Sequence, residues 1–198
     1  MGDPVKRLGP AALALALLGS FVPAAAQELS LSFAAGGFRA TDDAYREIYG
    51  SGTPWAAEVW LKSRGPFGLS AGFGRISQTG TALPLGEGGQ EYPLKFVRTS
   101  IPVTVFYQFD FMTVGLRLGG GICFHSYRED WQTVDLAYDG RKAAPRFYAA
   151  ATWTVAPRIS VFGSAAYDSI PTGAGSLVAA DVNLGGFQFM GGLSIRIF

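Results

Sequence analysis

Chemistry in this chain would have to begin at His125-Ser126, because His125 is the only histidine and a serine stands beside it. A histidine that activates a serine must share one reacting atom with it. Adjacent residues of an extended strand point to opposite faces, so this pair is poorly placed to attack a single ester. The reading of the residues is therefore a histidine hydrogen-bonded to its neighbours near the outer end of a strand, with no catalytic residue assigned. Cys123 is the single cysteine; it excludes an internal disulfide and a Cys-based zinc site, and neither a metal nor a cofactor is expected. The remaining residues of note are isolated charges, Glu58, Lys62, Arg117, Arg146 and Arg196, each on the polar side of an alternating segment.

Those segments supply the frame. From Ile101 to Phe124 the chain reads IPVTVFYQFDFMTVGLRLGGGICF. Ile101, Val103, Val105 and Tyr107 share one parity, and Val114, Leu116, Leu118, Ile122 and Phe124 share another. Arg117 and several glycines stand opposite them. This is a period of two, that of a β-hairpin with one apolar face. The same alternation recurs at Leu29–Ala35, Trp55–Leu61, Phe67–Phe73, Phe147–Val155, Ile159–Tyr167 and Phe187–Ile197. Within the fourth segment the parity changes between Leu94/Phe96 and Ile101/Val103, with Pro102 nearby. Either a β-bulge lies there or Leu94 to Arg98 stands beyond the membrane. Tight turns are expected near Ser63, Gln108 and Pro157, and long polar loops at about 39–54, 78–92, 128–143 and 169–183.

The first residues are set apart from the fold. Lys6 and Arg7 precede an apolar run from Ala11 to Leu18, and Ala24-Ala25-Ala26 follows Pro23. This is the pattern of a secretory signal peptide, residues 1–26, leaving 27–198 as one domain. With Asp3, Lys6 and Arg7 removed, acidic and basic residues are equal in number, so nothing recruits nucleic acid. Beyond the signal no apolar run is long enough for a spanning helix. An exported chain with 48% hydrophobic residues and 27 glycines that lacks such helices points to strands.

Eight alternating segments, joined in turn by long and short connections, form an all-β, eight-stranded antiparallel up-and-down transmembrane β-barrel. A soluble lipocalin-like barrel for apolar ligands is the alternative, and the placement of charge argues against it. Such a barrel turns its grease inward. Here Glu58, Lys62, Arg117, Arg146 and Arg196 occupy the face opposite the large apolar residues and suit a polar interior. Glu58 and Arg117 lie at similar depth and are expected to touch, and Arg146, Asp168 and His125 are expected to form a second cluster at the outer rim. Aromatics gather in two belts, Tyr107, Phe109, Phe111, Trp153 and Phe198 by the short turns and Phe124, Phe147, Tyr167 and Phe187 by the long loops. An interior nearly filled by side chains makes a wide pore improbable.

The Ala-x-Ala signal, the eight alternating strands, the Gly-rich LRLGGGICF and GGFQFMGGLSIRIF, and the final Phe198 resemble the small bacterial outer-membrane β-barrel proteins of the OmpA/OmpX/OmpW kind. The resemblance implies an outer-membrane location, membrane lipid as surroundings, and Phe198 as the signal read by the barrel-assembly machinery. Arg196 departs from that signal, standing where the family usually has an apolar residue. It further implies a non-enzymatic protein that binds an unknown extracellular ligand through its four outer loops. Some barrels of this architecture are lipid A deacylases, an alternative in which His125 would act. Those enzymes separate His and Ser by one residue, which this chain does not.

Overall fold

In the computed structural model, residues 26–82, 92–133, 136–171 and 182–198 are described. The expected signal peptide and most of the expected loops at 78–92 and 169–183 lie outside them. The strands are β1 (Ala26–Ala40), β2 (Trp55–Ser63), β3 (Phe67–Ala82), β4 (Tyr92–Phe111), β5 (Val114–Trp131), β6 (Leu136–Ala156), β7 (Ile159–Asp168) and β8 (Gly186–Arg196). Each pairs antiparallel with the next, and β8 returns to β1, so the sheet closes into an eight-stranded barrel in sequence order. Closure removes every edge that lipid would otherwise face with unpaired amides. The last residue takes part in it: Leu29 N donates to Phe198 O at 3.0 Å and Ile197 N to Leu29 O at 2.7 Å.

Period-two alternation sets the faces as expected. Val105, Leu118, Ile122, Phe147, Phe189 and Leu193 point outward and are more than half exposed. Thr104, Phe106, Arg117, Tyr148, Phe162 and Ser194 point inward and are buried. Three tight connections lie at one end. The first is fixed by Ser63, whose Oγ accepts from Gly65 N at 3.2 Å and donates to Phe67 O at 2.8 Å. Inward glycines make room for large neighbours: a Cβ on Gly68 would sit 2.2 Å from the Phe106 ring.

Two expectations change. Strands β3 to β6 are 16, 20, 18 and 21 residues long, not about ten, whereas β2, β7 and β8 hold 9, 10 and 11. The expected loop at 128–143 is mostly paired strand, with register from Arg128↔Asp139 to Trp131↔Leu136. Its outward residues are mostly polar, Arg128, Asp130, Asp139 and Arg141 among them, which reads as loop in a sequence, although the ladder runs unbroken from Arg128↔Asp139 to Trp131↔Leu136. Second, no bulge interrupts β4. Its register with β5 is uniform from Leu94↔Trp131 to Phe111↔Val114, and its pairs with β3 keep one offset on both sides of Pro102. Leu94 and Phe96 share the inward parity of Arg98, Ser100, Pro102 and Thr104. The apparent phase change arises because the interior turns from polar to apolar towards the long-loop end.

That apolar interior is closed by a helix where the sequence predicts a loop, α1 (Asp43–Tyr49). Asp42 caps it, its Oδ1 accepting from Tyr45 N at 3.1 Å, and Gly50 ends it with φ 63°. Tyr45 and Tyr49, one turn apart, drop into the barrel mouth beside Phe38, Ile76, Leu94, Phe96 and Tyr127.

Candidate functional site: the filled interior

Below the apolar plug the interior holds three polar groupings. At the short-turn mouth Lys62 Nζ meets Asp110 Oδ2 at 2.5 Å, and Arg196 Nε meets Glu28 Oε1 at 3.3 Å. Arg196 keeps 43% of its side chain exposed. It therefore sits at the opening and not inside the barrel, a correction to its expected interior place. Lys62 lies at the same mouth.

Further in, Arg117 is buried, and its Nε donates to Gln108 Oε1 at 2.8 Å. Its guanidinium lies 3.9 Å from the Trp60 ring centre and 5.3 Å from that of Phe106. Trp60 Nε1 in turn donates to Glu58 Oε2 at 2.8 Å. Glu58 and Arg117 do share the lumen, as the parity requires. Among the described residues, however, they form no ion pair, because the Trp60 indole stands between them and contacts each. The expected direct contact is corrected to a stacked relay, and a guanidinium over an aromatic face in a dry interior is itself stabilising.

The third grouping is the cluster expected at the outer rim. Arg146 Nη1 meets Asp168 Oδ2 at 2.8 Å with both side chains buried. His125 Nδ1 lies 3.1 Å from Ser100 Oγ and 3.9 Å from Cys123 Sγ. The structure brings Arg146, Asp168 and His125 together but does not leave them at a rim. His125 and Asp168 are 2% and 3% exposed, because Phe38, Phe96, Ile170 and Leu184 close over them. Arg98, which sequence reasoning did not single out, joins them: its Nη1 donates to Leu184 O, and its guanidinium lies 4.3 Å from the Phe38 ring centre. Continuing the even parity of β4 back through Leu94 would have placed it. Ser126 faces outward and is exposed while His125 faces inward, so the two hold no common substrate.

Within the plug Tyr49 OH donates to Glu129 Oε2 at 2.6 Å, and Tyr45 OH to Gln78 Oε1 at 2.6 Å, both acceptors standing beside Phe96 in the sheet. Trp131 Nε1 donates to the other Glu129 oxygen at 2.9 Å. Burial first, and then the hydrogen bond to Glu129, push the Tyr49 phenol far above its ordinary range. Burial does the same to Tyr45.

Outside, apolar side chains form a continuous band. It ends on the long-strand side at Phe73, Ile101 and Phe124, beyond which Arg75, Thr99 and Ser126 take over. Arg75, Thr99, Ser126 and Arg141 are successive partners across β3 to β6. Farther out the same face carries Lys95, Arg128, Asp130 and Asp139.

No family model matches this sequence, and no curated protein does either. Solved structures do share its fold. Neisserial surface protein A is 14% identical with a TM-score of 0.56, over 85% of this chain and 96% of its own. Ail, the attachment invasion locus protein of Yersinia pestis, in complex with the heparin analogue sucrose octasulfate, is 14% identical with a TM-score of 0.58, over 86% and 98%. A major outer membrane protein from Thermus thermophilus is 13% identical with a TM-score of 0.58, over 86% and 98%. The chain thus has the fold of small outer-membrane β-barrels.

Proposed function

We infer that this chain is a non-enzymatic outer-membrane protein, exported by residues 1–26, whose sealed barrel anchors an outer surface that makes contacts beyond the membrane. The observation that carries this reading is the pairing of a lipid-compatible outer band with a filled interior. The band's exposed apolar residues run round the barrel, more than half exposed at Phe33, Val105, Phe147 and Leu193 and somewhat less so at Trp55 and Ile159. The interior behind them is blocked at two levels, by Trp60, Phe106, Arg117 and Phe162 and by the α1 plug, above a polar cavity of about 220 Å³ at the short-turn mouth. Membrane lipid is the surrounding medium and the barrel-assembly machinery the partner in biogenesis, with Phe198 as the residue it reads.

The lipid A deacylase alternative loses its support at His125, which is shut inside while Ser126 lies outside. A lipocalin-like ligand site loses support because the interior apolar space is occupied by Tyr45, Tyr49 and Phe96. The extracellular ligand favoured by the outer face is anionic, since Arg75, Lys95, Arg128 and Arg141 outnumber Asp130 and Asp139 on the outward side of β3 to β6. Ail was solved with a sulfated sugar, and a sulfated glycan is a suitable first probe.

The test is expression of the full chain in a Gram-negative host. The protein is expected in the membrane fraction, migrating faster in its unheated form on gels. Recovery as a soluble periplasmic protein would overturn the reading. Hydrolysis of purified lipid A that disappears in His125→Ala would replace it with the enzymatic one.

A further inference from the structure

We propose that Cys123, His125 and Asp168 form a buried binding site for a single monovalent, thiophilic metal ion of the Cu(I) or Ag(I) type. A thiol, an imidazole and a carboxylate each offer a donor atom here, and these atoms all lie within 4.8 Å of one another. They come from β5 and β7, held by the closed sheet and roofed by the apolar plug. The Cys123 Sγ to His125 Nδ1 span is 3.9 Å. Bonds as short as those of zinc, about 2.3 Å to sulfur and 2.0 Å to nitrogen, already bridge that span through one ion bent at the metal, and a larger ion such as Ag(I) bridges it with a sharper bend.

A second observation points to a ligand. His125 Nε2 and Asp168 Oδ1 are both buried and have no hydrogen-bond partner. Buried polar atoms are rarely left so, and each needs an explanation. Buried side-chain atoms of Arg98, Arg117, Tyr148 and Thr152 are orphaned as well among the described residues, but only those of His125 and Asp168 belong to the ligating trio. It is Asp168 Oδ1 that an ion held by Cys123 Sγ and by His125 Nδ1, in place of the Ser100 hydroxyl, can satisfy. The other Asp168 oxygen is held by Arg146 at 2.8 Å, which leaves Oδ1 as the free donor.

Charge selects the valence. Arg98 and Arg146 flank the trio, so a divalent ion would add net positive charge where two guanidiniums already stand. A monovalent ion adds none: Cys123–SH + M⁺ gives Cys123–S–M + H⁺, in which the S–H bond breaks, the S–M bond forms and the proton leaves to solvent. Sulfur and imidazole are also the donors that soft monovalent ions prefer, whereas carboxylate-rich sites suit harder ions. Zinc is thus disfavoured by the electrostatics, even though the donor types would accept it.

The experiment uses the full chain folded in bilayer nanodiscs, with Ag(I), Cu(I) under a competing chelator, and Zn(II) as probes. Each is supplied to the folded barrel and, in parallel, during refolding. Native mass spectrometry is expected to show one Ag(I) per chain. Cys123→Ser should weaken binding by more than about 100-fold and His125→Gln by about 10- to 100-fold, with Zn(II) at least about 100-fold weaker than Ag(I). Ser126→Ala, outward-facing, should change nothing. Should Cys123→Ser fail to fold, X-ray absorption of the copper-loaded native chain decides: one sulfur neighbour supports the site, and a shell of nitrogen and oxygen alone overturns it. Equal binding by folded Cys123→Ser, Zn(II) bound as tightly as Ag(I), or no ion taken up by either route overturns it equally.

Discussion

Burial of Arg146 against Asp168 makes each depend on the other. Arg146→Met would strand a carboxylate in a dry interior and is expected to cost about 3–5 kcal/mol, measured by reversible urea unfolding in micelles. Adding Asp168→Asn should restore much of that loss, since the cost lies in the unpaired charge. Tyr49 gives a second test through pH. An unfolded tyrosine loses its proton at about pH 10, while the folded phenol, buried and bonded to Glu129, keeps its own. The stabilisation is therefore complete below about pH 10 and is lost as pH rises above it. Alkaline unfolding curves should show this fall, and Tyr49→Phe should make it shallower. At this scale the sequence discloses faces and withholds partners. Alternation puts Glu58, Trp60 and Arg117 on one side, but which way a side chain leans within the lumen depends on three strands at once. For that reason the indole's place between Glu58 and Arg117 could not be read.

Among the elements, β4 carries the clearest test of the two faces. Val105 is 57% exposed in the middle of the apolar band, and Val105→Arg is expected to destabilise the inserted barrel by about 2–4 kcal/mol, read from folding titrations in lipid vesicles. The inward neighbour is no safer. Thr104 is 1% exposed, so Thr104→Arg meets packed side chains and not a watery lumen. For α1, Asp42→Ala should cost about 0.5–2 kcal/mol. Asp42 both caps the helix and accepts from Asn183 N at 3.1 Å, and the loss should appear as faster proteolysis between β1 and β2. The strands were legible because a period of two survives any packing. The helix was not, because seven residues mixing charges with two tyrosines give too short a window, and only the i, i+4 spacing of Tyr45 and Tyr49 hints at it. The extensions of β3 to β6 were hidden for another reason: outside lipid the outward residues become polar, and polarity reads as loop.

For the molecule as a whole, an interior blocked at the Trp60 layer and again at the α1 plug predicts baseline current in planar bilayers, and a steady open-pore conductance would contradict it. Weakening the plug with Tyr45→Ala and Tyr49→Ala should leave the current low, because the layer of Trp60, Phe106, Arg117 and Phe162 still blocks the path. The unequal strand lengths have a different consequence. The β4–β5 pair runs seven residues past Ile101↔Phe124 to Leu94↔Trp131, about 23 Å of strand at roughly 3.3 Å per residue, while β7 and β2 end at the band. The described strands consequently give the molecule a front and a back in the plane of the membrane. Turned about its own axis, it shows neighbours a tall charged wall of β4 and β5 from one side and, from the other, strands that among the described residues stop at the band, so whatever docks on that wall meets the molecule at a preferred heading.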